Sequence, residues 1–175
     1  MGASYIKSFL RRNWVVVKGC LIFGGCVLAF MLIYSRLVDN EALAGFLAFT
    51  AEAAALVLNI LGASVEVDGT LILSRDFSMG VVTGCAGIVP MAIFASAVLA
   101  YPCRAKRKAI GLALGVAVLF VLNLVRIVAL FFIGSNFSSG FFDTAHFLIW
   151  QPVMIGAAIV LWLLWVEKLV PVPSH

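Results

Sequence analysis

Five apolar stretches of the sequence constrain its fold more than any other feature. A helix that crosses a bilayer needs roughly 20 mostly apolar residues, and five segments approach that length: 15–34, 41–62, 86–101, 109–133 and 147–166. Only 11% of the residues are charged and 64% are hydrophobic, whereas an average soluble domain is about 25% charged. The sequence therefore predicts an all-α polytopic membrane protein with about five to six transmembrane helices, forming one domain over residues 1–175.

Basic residues form two groups beside these stretches and indicate an orientation. One group lies near the N-terminus and the other lies in a short connector: Lys7, Arg11, Arg12 and Lys18, then Arg104, Lys106, Arg107 and Lys108. Such groups mark the cytoplasmic side of a membrane protein, and no nucleic-acid partner is expected without a soluble surface to bind it. If all five segments cross, the two groups fall on opposite sides of the membrane. We take the connector as the guide to orientation, because it joins two clear spans, and place it on the cytoplasmic side. Residues 1–13 mix basic and apolar side chains and are expected to lie at the membrane surface.

Two polar interruptions are expected on the extracytoplasmic side. In residues 63–84, four apolar residues flank the dipeptide Asp68-Gly69, which is favoured in tight hairpin turns: Val65, Val67, Leu71 and Leu73. This pattern predicts a small extracytoplasmic β-hairpin, followed by a connector through Arg75, Asp76 and Phe77. The second interruption, residues 134–146, is rich in Gly, Ser and Asn and is predicted to be a loop.

Three chemically reactive or charged residues are predicted at a common depth in the membrane. Cys85 lies sixteen residues before Tyr101, and Arg126 lies sixteen residues after Ile110. At about 1.5 Å per helical residue, both lie near 24 Å from the basic connector. His146 begins the next apolar segment from the same side. The count therefore brings Cys85, Arg126 and His146 together, whichever way the protein is inserted.

These residue types together favour acyl-transfer chemistry. A thiol at a helix start has a lowered pKa, and Thr83 is the expected N-cap of a helix beginning at Cys85. The small neighbours Gly84, Ala86 and Gly87 would let a substrate backbone approach the sulfur. His146 is a candidate general base and acid, with Asp143 as a supporting residue. Arg126 is a candidate for stabilising an oxyanion or holding the substrate chain, and Asn123, one turn earlier, is placed to orient it.

Each of these residues also has a structural interpretation. Cys85 can serve as a small packing residue in an apolar core, and His146 as an interfacial residue. An arginine within a span normally faces a partner or a wet cavity, and Glu52 in the second span is the candidate partner for a structural ion pair with Arg126.

Three segments resemble motifs of the exosortase/archaeosortase family. They are C-A-G-I at 85–88, N-L-V-R-I at 123–127 and His146, each at the outer end of a successive span; the hairpin and the V-V-T-G lead-in are similar too. The likeness covers residues 55–166, and the short chain is most similar to compact bacterial exosortases of the H type. Archaeal members tend to carry a second arginine where this chain has His146, which favours a bacterial source.

The resemblance implies a membrane cysteine protease and transpeptidase with Cys85, Arg126 and His146 as its catalytic residues. Its catalytic core helices would span 85–166, without a cofactor or metal, in the inner membrane with the active site facing outward. Substrates of such enzymes are exported proteins whose C-terminal signal has a short motif, an apolar helix and a basic tail. A lipid or polysaccharide is a candidate acceptor of the cleaved chain.

Two other functions are compatible with the residues alone. A small membrane transporter or assembly subunit would use Arg126 to line a polar path and would not need the Cys85 thiol. A membrane thiol oxidoreductase would need a second cysteine on the same side as Cys85, and Cys103 is predicted at the opposite face.

Overall fold

Five α-helices make up most of the described part of the chain. The computed structural model describes residues 13–37, 41–75, 77–136 and 145–170, with the backbone alone at 37, 42 and 145–147. The helices are α1 (Trp14–Leu37), α2 (Glu41–Ile60), α3 (Ile88–Ala100), α4 (Ala105–Asn136) and α5 (Gln151–Leu169). A π-helical segment, Ala145–Trp150, leads directly into α5. The predicted all-α polytopic class is therefore confirmed. Residues 1–12 of the expected surface segment and residues 137–144 of the expected loop 134–146 lie outside the described residues.

Four of these helices are long and apolar enough to cross a bilayer. Among the described residues, the candidate spans are Trp14–Arg36, Leu43–Ile60, Ala105–Asn136 and Leu148–Leu169. The fifth predicted segment forms α3, whose 13 residues reach only about 20 Å, against an apolar layer of about 30 Å. It begins at Ile88 and not at residue 86 because Gly87 takes a left-handed backbone, with φ +68°. Among the described residues, four of the five predicted segments are therefore long enough to cross and α3 is a shorter apolar helix, which agrees roughly with the predicted number.

A three-stranded antiparallel sheet follows α2. Its strands are β1 (Glu66–Asp68), β2 (Leu71–Leu73) and β3 (Ser78–Gly80), in the order β1-β2-β3. Asp68 pairs with Leu71, so the first turn has two loop residues, beginning with Gly69 at φ +59°. The predicted hairpin is confirmed, whereas β3 extends it beyond the sequence prediction. Asp76 of the expected connector lies outside the described residues.

Helices α3, α4 and α5 pack against one another through two glycines of α4. A Cβ atom at Gly115 would lie 2.1 Å from the Phe94 ring of α3, and one at Gly111 would lie 2.2 Å from the Trp165 indole of α5. The Trp165 indole N–H donates a hydrogen bond to the Arg107 carbonyl at 3.2 Å. Small residues allow such close approach between helices in a membrane, so the two glycines determine how the three helices fit together.

The start of α1 lies at the same end of the molecule as the basic connector. Gly19 of α1 faces the Ala100 carbonyl, 3.9 Å from an ideal Cβ position, and the Lys108 ammonium donates to the Leu99 carbonyl in the last turn of α3. Lys18 and the connector therefore share one end.

A buried apolar cluster joins α2, the sheet and α4 at the other end. It includes Ala51, Ala54, Ala55 and Leu58 of α2, Ile72 and Met79 of the sheet, Ile127, Leu130 and Phe131 of α4, and Cys85. The side chain of Asn59 fixes the sheet to α2, because its amide donates to the Val65 carbonyl at 3.1 Å and accepts from the Val65 N–H at 2.8 Å. We refer to this set as the Cys85 cluster.

Candidate active site

Cys85 lies in a tight turn between the sheet and α3. Residues Thr83–Cys85 form one turn of 3-10 helix, in which the Cys85 N–H donates to the Val82 carbonyl at 2.8 Å. The cysteine is only 6% exposed. Thr83 does not cap a helix as expected: Val82 holds the N-cap position of this turn, and Gly87 holds that of α3, both without a side-chain hydrogen bond.

The guanidinium of Arg126 reaches the backbone of this turn. Arg126 is 1% exposed, and its Nη2 donates a hydrogen bond to the Gly84 carbonyl at 3.3 Å. Two residues 42 positions apart in sequence therefore meet at the depth that residue counting predicts. Glu52 is not the partner of Arg126, because its side chain lies on the exposed face of α2 while the guanidinium is buried.

The electrostatic environment of the Cys85 thiol reflects two opposing effects. Burial disfavours the thiolate and raises the pKa of Cys85 above its usual range. The positive charge of Arg126 and the backbone hydrogen bond to Val82 lower this pKa, but by less than burial raises it. The expected lowering of the pKa by a helix start is therefore wrong for the resting protein. Forming the nucleophilic thiolate requires either a base or a change in the surroundings of the sulfur.

The two glycines beside Cys85 have different surroundings. A Cβ atom at Gly84 would meet no heavy atom within 4 Å, and Gly84 is exposed, so there is room for a substrate chain beside it. Gly87 is buried against α4, where a Cβ atom would lie 2.8 Å from Cγ of Asn123. Ala86 is also fully buried. Of the small residues that flank Cys85, only Gly84 therefore provides open space.

Asn123 packs against the cysteine turn. It is fully buried on the same face of α4 as Arg126. Within the described part of the chain, neither its amide nitrogen nor its amide oxygen has a hydrogen-bond partner. Asn123 thus fills the contact with Gly87, and the described residues show no hydrogen bond from it that orients Arg126.

The segment that carries His146 packs near the same place. His146 is the second residue of the π-helical segment Ala145–Trp150, which contacts both α4 and α5. Trp150, four residues later, packs against the Cys85 cluster. The segment that carries His146 therefore reaches the cluster through Trp150, and the position of His146 beside Cys85 stays a prediction. The side chain of His146 and all of Asp143 lie outside the described residues.

Cys103 occupies the opposite end of α3 from Cys85. It lies in the connector to α4, and the 13 residues of α3 correspond to about 20 Å. Two thiols this far apart do not form a disulfide, which requires Cα atoms within about 7 Å. The arrangement therefore disfavours a dithiol oxidoreductase built on Cys85 and Cys103.

The match to a known family covers most of the described residues. A family model described as Transmembrane exosortase (Exosortase_EpsH) matches residues 16–166. The chain belongs to the transmembrane exosortase family. The match includes every element that builds the Cys85 cluster and identifies this exosortase as a multi-pass protein of a membrane protease or transpeptidase family. No curated protein and no solved structure matches the chain.

Sequence reasoning missed two groups that shape the site. The Gly84 carbonyl accepts the hydrogen bond from Arg126, and a backbone acceptor has no signature in the side-chain sequence. The Asn59 amide fixes the start of the sheet that covers Cys85. Asn59 lies near the end of an apolar span and Gly62 follows it. This pattern could have indicated a helix end that side-chain hydrogen bonds stabilise.

Proposed function

We propose that this exosortase is a cysteine peptidase and transpeptidase that cleaves C-terminal sorting signals through a thioacyl intermediate. The observation that carries the proposal is the hydrogen bond of a buried arginine, Arg126, to the backbone carbonyl beside a buried cysteine, Cys85. Placing a guanidinium within a membrane span costs at least a few kcal/mol. A catalytic role for the charge explains why it lies next to a thiol and not at the membrane surface.

The first half of the proposed reaction forms a thioester. His146 takes the proton of the Cys85 thiol, and the thiolate sulfur attacks the scissile carbonyl carbon of the substrate. The tetrahedral intermediate then collapses, the C–N bond breaks, and His146 returns the proton to the leaving amine. The apolar tail leaves with its new amino terminus, and the rest of the substrate stays on Cys85 as a thioester.

Arg126 would stabilise the negative charge that develops in this step. A guanidinium has five N–H donors in a planar fork, so one arm can hold the Gly84 carbonyl while another donates to the oxyanion. Its charge also favours the thiolate, in agreement with its lowering effect on the pKa of Cys85. Because burial outweighs that effect in the resting protein, we propose that His146 and the bound substrate together complete the activation.

The second half of the reaction releases the product. Water, an amine or a hydroxyl group attacks the thioester carbon, His146 accepts the proton of the attacking group, and the thiol of Cys85 reforms. Hydrolysis gives a free carboxyl end, whereas transfer gives an amide or ester to a lipid or polysaccharide. We propose that this occurs on the outer face of a bacterial inner membrane, with the substrate motif entering beside Gly84, where the turn is open.

Variants of Cys85 and His146 test the proposal in cells. An exported reporter with a C-terminal motif, apolar helix and basic tail from the same organism is followed by the size of its mature form. Cys85→Ala, Cys85→Ser and His146→Ala are each expected to abolish maturation while leaving the protein in the membrane. Cys103→Ser, which changes a thiol at the opposite end of α3, is the matched control and is expected to mature the reporter normally. Processing by Cys85→Ala would show that the nucleophile is another group.

The same variants distinguish an enzyme from a transporter or assembly subunit. A protein that uses only the charge of Arg126 would retain its function as Cys85→Ser, because serine preserves the size of the side chain. Loss of function in Cys85→Ser with retained expression supports nucleophilic catalysis.

A further inference from the structure

Glu52 is an acidic residue on the exposed side of a membrane span. It is the tenth residue of the candidate span Leu43–Ile60, so it lies near the middle of the apolar layer. Its side chain is exposed, and no residue in the described ranges makes an ion pair or hydrogen bond to it. Acidic residues within spans are costly and almost always face a protein partner or a wet cavity. The exposed face of α2 is therefore not an ordinary lipid-facing surface.

The residues around Glu52 form a ridge with small side chains on one half. Ala44, Ala48, Glu52 and Leu56 follow one another at four-residue spacing, which places them in a row on one side of a helix. Ala44, Glu52 and Leu56 are exposed, and Ala48 is half-buried. Beside this row, Gly45 is exposed, and a Cβ atom there would meet no heavy atom within 4 Å. Small residues let a second helix approach closely, and a polar residue one turn further supplies a hydrogen bond.

We propose that this face of α2 binds the same face of a second copy of the chain, so that the exosortase forms a parallel two-fold dimer. Every copy is inserted in the same direction, so a two-fold axis along the membrane normal places each residue at the depth of its mate. A carboxyl group in the middle of the membrane needs a polar partner at its own depth. In the two-fold dimer, Glu52 of the second copy lies at that depth. The ridge is self-complementary in this arrangement, as an isologous interface requires.

The contact between the two acidic residues is a hydrogen bond and not an ion pair. Two carboxylates held side by side in an apolar layer cannot both be charged. The carboxyl O–H of one Glu52 therefore donates a hydrogen bond to a carboxylate oxygen of its mate. The small residues Ala44, Gly45 and Ala48 lie on the other half of the interface, where the two backbones come closest.

The dimer contact lies close to the level of the site. The ring of Phe49 stacks on Phe120 of α4, with the centroids 5.8 Å apart, and α2 and α4 both run toward the sheet. Three residues further along, Glu52 lies at about the level of Asn123, roughly one helical turn from Arg126. On the far side of α2, Ala54 and Leu58 pack in the Cys85 cluster. One helix therefore separates the dimer contact from the site.

Disulfide trapping in vesicles tests the proposal without requiring catalysis. The full chain, with all four native cysteines replaced by alanine, carries Leu56→Cys on the ridge and is reconstituted in phosphatidylcholine vesicles. Mild oxidation is expected to give a covalent dimer in high yield. Ile159→Cys, at an exposed position of α5, is the matched control and is expected to stay mostly monomeric. Because these variants lack Cys85, the outcome does not depend on whether the proposed peptidase activity is right.

Energy transfer between labelled copies then measures the contribution of each group. Glu52→Leu is expected to lower the association constant about tenfold, whereas Glu52→Gln, which keeps a donor and an acceptor, is expected to stay within about twofold of the parent. Gly45→Leu is expected to weaken association by bulk alone, and Gly156→Leu, where a Cβ atom of α5 also meets nothing within 4 Å, is expected to leave it unchanged. A monomer at every protein-to-lipid ratio, or association of Glu52→Leu equal to that of the parent, would overturn the proposal and assign Glu52 to a different partner.

Discussion

The contact between Gly87 and Asn123 gives the sharpest test of the local structure beside Cys85. Gly87 has φ +68°, and a Cβ atom on it would lie 2.8 Å from Cγ, 2.9 Å from Oδ1 and 3.1 Å from Cβ of Asn123. Gly87→Ala therefore introduces both a strained backbone and a steric clash. The strain arises within the turn itself, and the clash arises between the turn and α4.

The two effects add to a large loss of stability. An alanine in the left-handed region costs about 1–2 kcal/mol relative to glycine, and an extra methyl group in a tightly packed contact costs about 1–3 kcal/mol. The free energy of unfolding of Gly87→Ala is therefore expected to fall by about 2–5 kcal/mol. Proteolytic processing should fall as well, because the clash moves the turn that carries Cys85 away from Arg126.

Reversible unfolding in mixed micelles measures this loss, and a double-mutant cycle separates its causes. Asn123→Ala removes Cγ and Oδ1, so the double variant is expected to be more stable than the sum of the single effects by about 1 kcal/mol. Gly156→Ala, with open space around its Cβ position, is the control for glycine replacement in a helix. A Gly87→Ala variant as stable as the parent would refute both the left-handed backbone and the close contact.

Three further predictions follow from the site and its surroundings. Arg126→Gln is expected to lower reporter processing by about 10²–10³-fold through loss of the oxyanion donor, and Arg126→Lys should recover only part of it, because lysine lacks the planar fork. Alkylation of resting Cys85 by iodoacetamide is expected to be slow at neutral pH compared with that of Cys103 in the connector, since burial raises the pKa of Cys85. Arg126→Gln removes a charge that lowers this pKa and should move the alkylation profile of Cys85 to still higher pH. A profile unchanged by Arg126→Gln would contradict the proximity of Arg126 to the thiol. Asn59→Leu breaks two hydrogen bonds to Val65 and is expected to destabilise the sheet by about 1–3 kcal/mol, seen as faster limited proteolysis at the hairpin.

Much of the architecture follows from periodic features of the sequence. The apolar segments predict all five helices, and Asp68-Gly69 predicts the first turn of the sheet. The meeting of Arg126 with the cysteine turn follows from helix geometry alone, because equal residue counts from one connector give equal depths in two adjacent helices. Properties that depend on one helix or one turn could therefore be predicted from the sequence.

Features that depend on close contact between helices and strands could not be predicted from the sequence. Gly87 looked like a residue that makes room for substrate, but its backbone conformation and its contact with Asn123 end the cysteine turn and delay the start of α3. The pKa of Cys85 depends on burial by the sheet and α2, which residue order does not show. Glu52 and Arg126 lie in neighbouring spans, and only the packing of α2 reveals that they face different directions.

A covalent adduct on Cys85 tests the central claim most directly. The exosortase is isolated from cells that contain its exported substrates, quenched in acid, digested, and analysed by mass spectrometry for the peptide that contains residue 85. Catalysis through a thioacyl intermediate predicts an acyl group on Cys85 that hydroxylamine removes. The group should be absent from Cys85→Ala and much reduced in Arg126→Gln. An acyl group on another residue, or normal substrate maturation by Cys85→Ala, would contradict it.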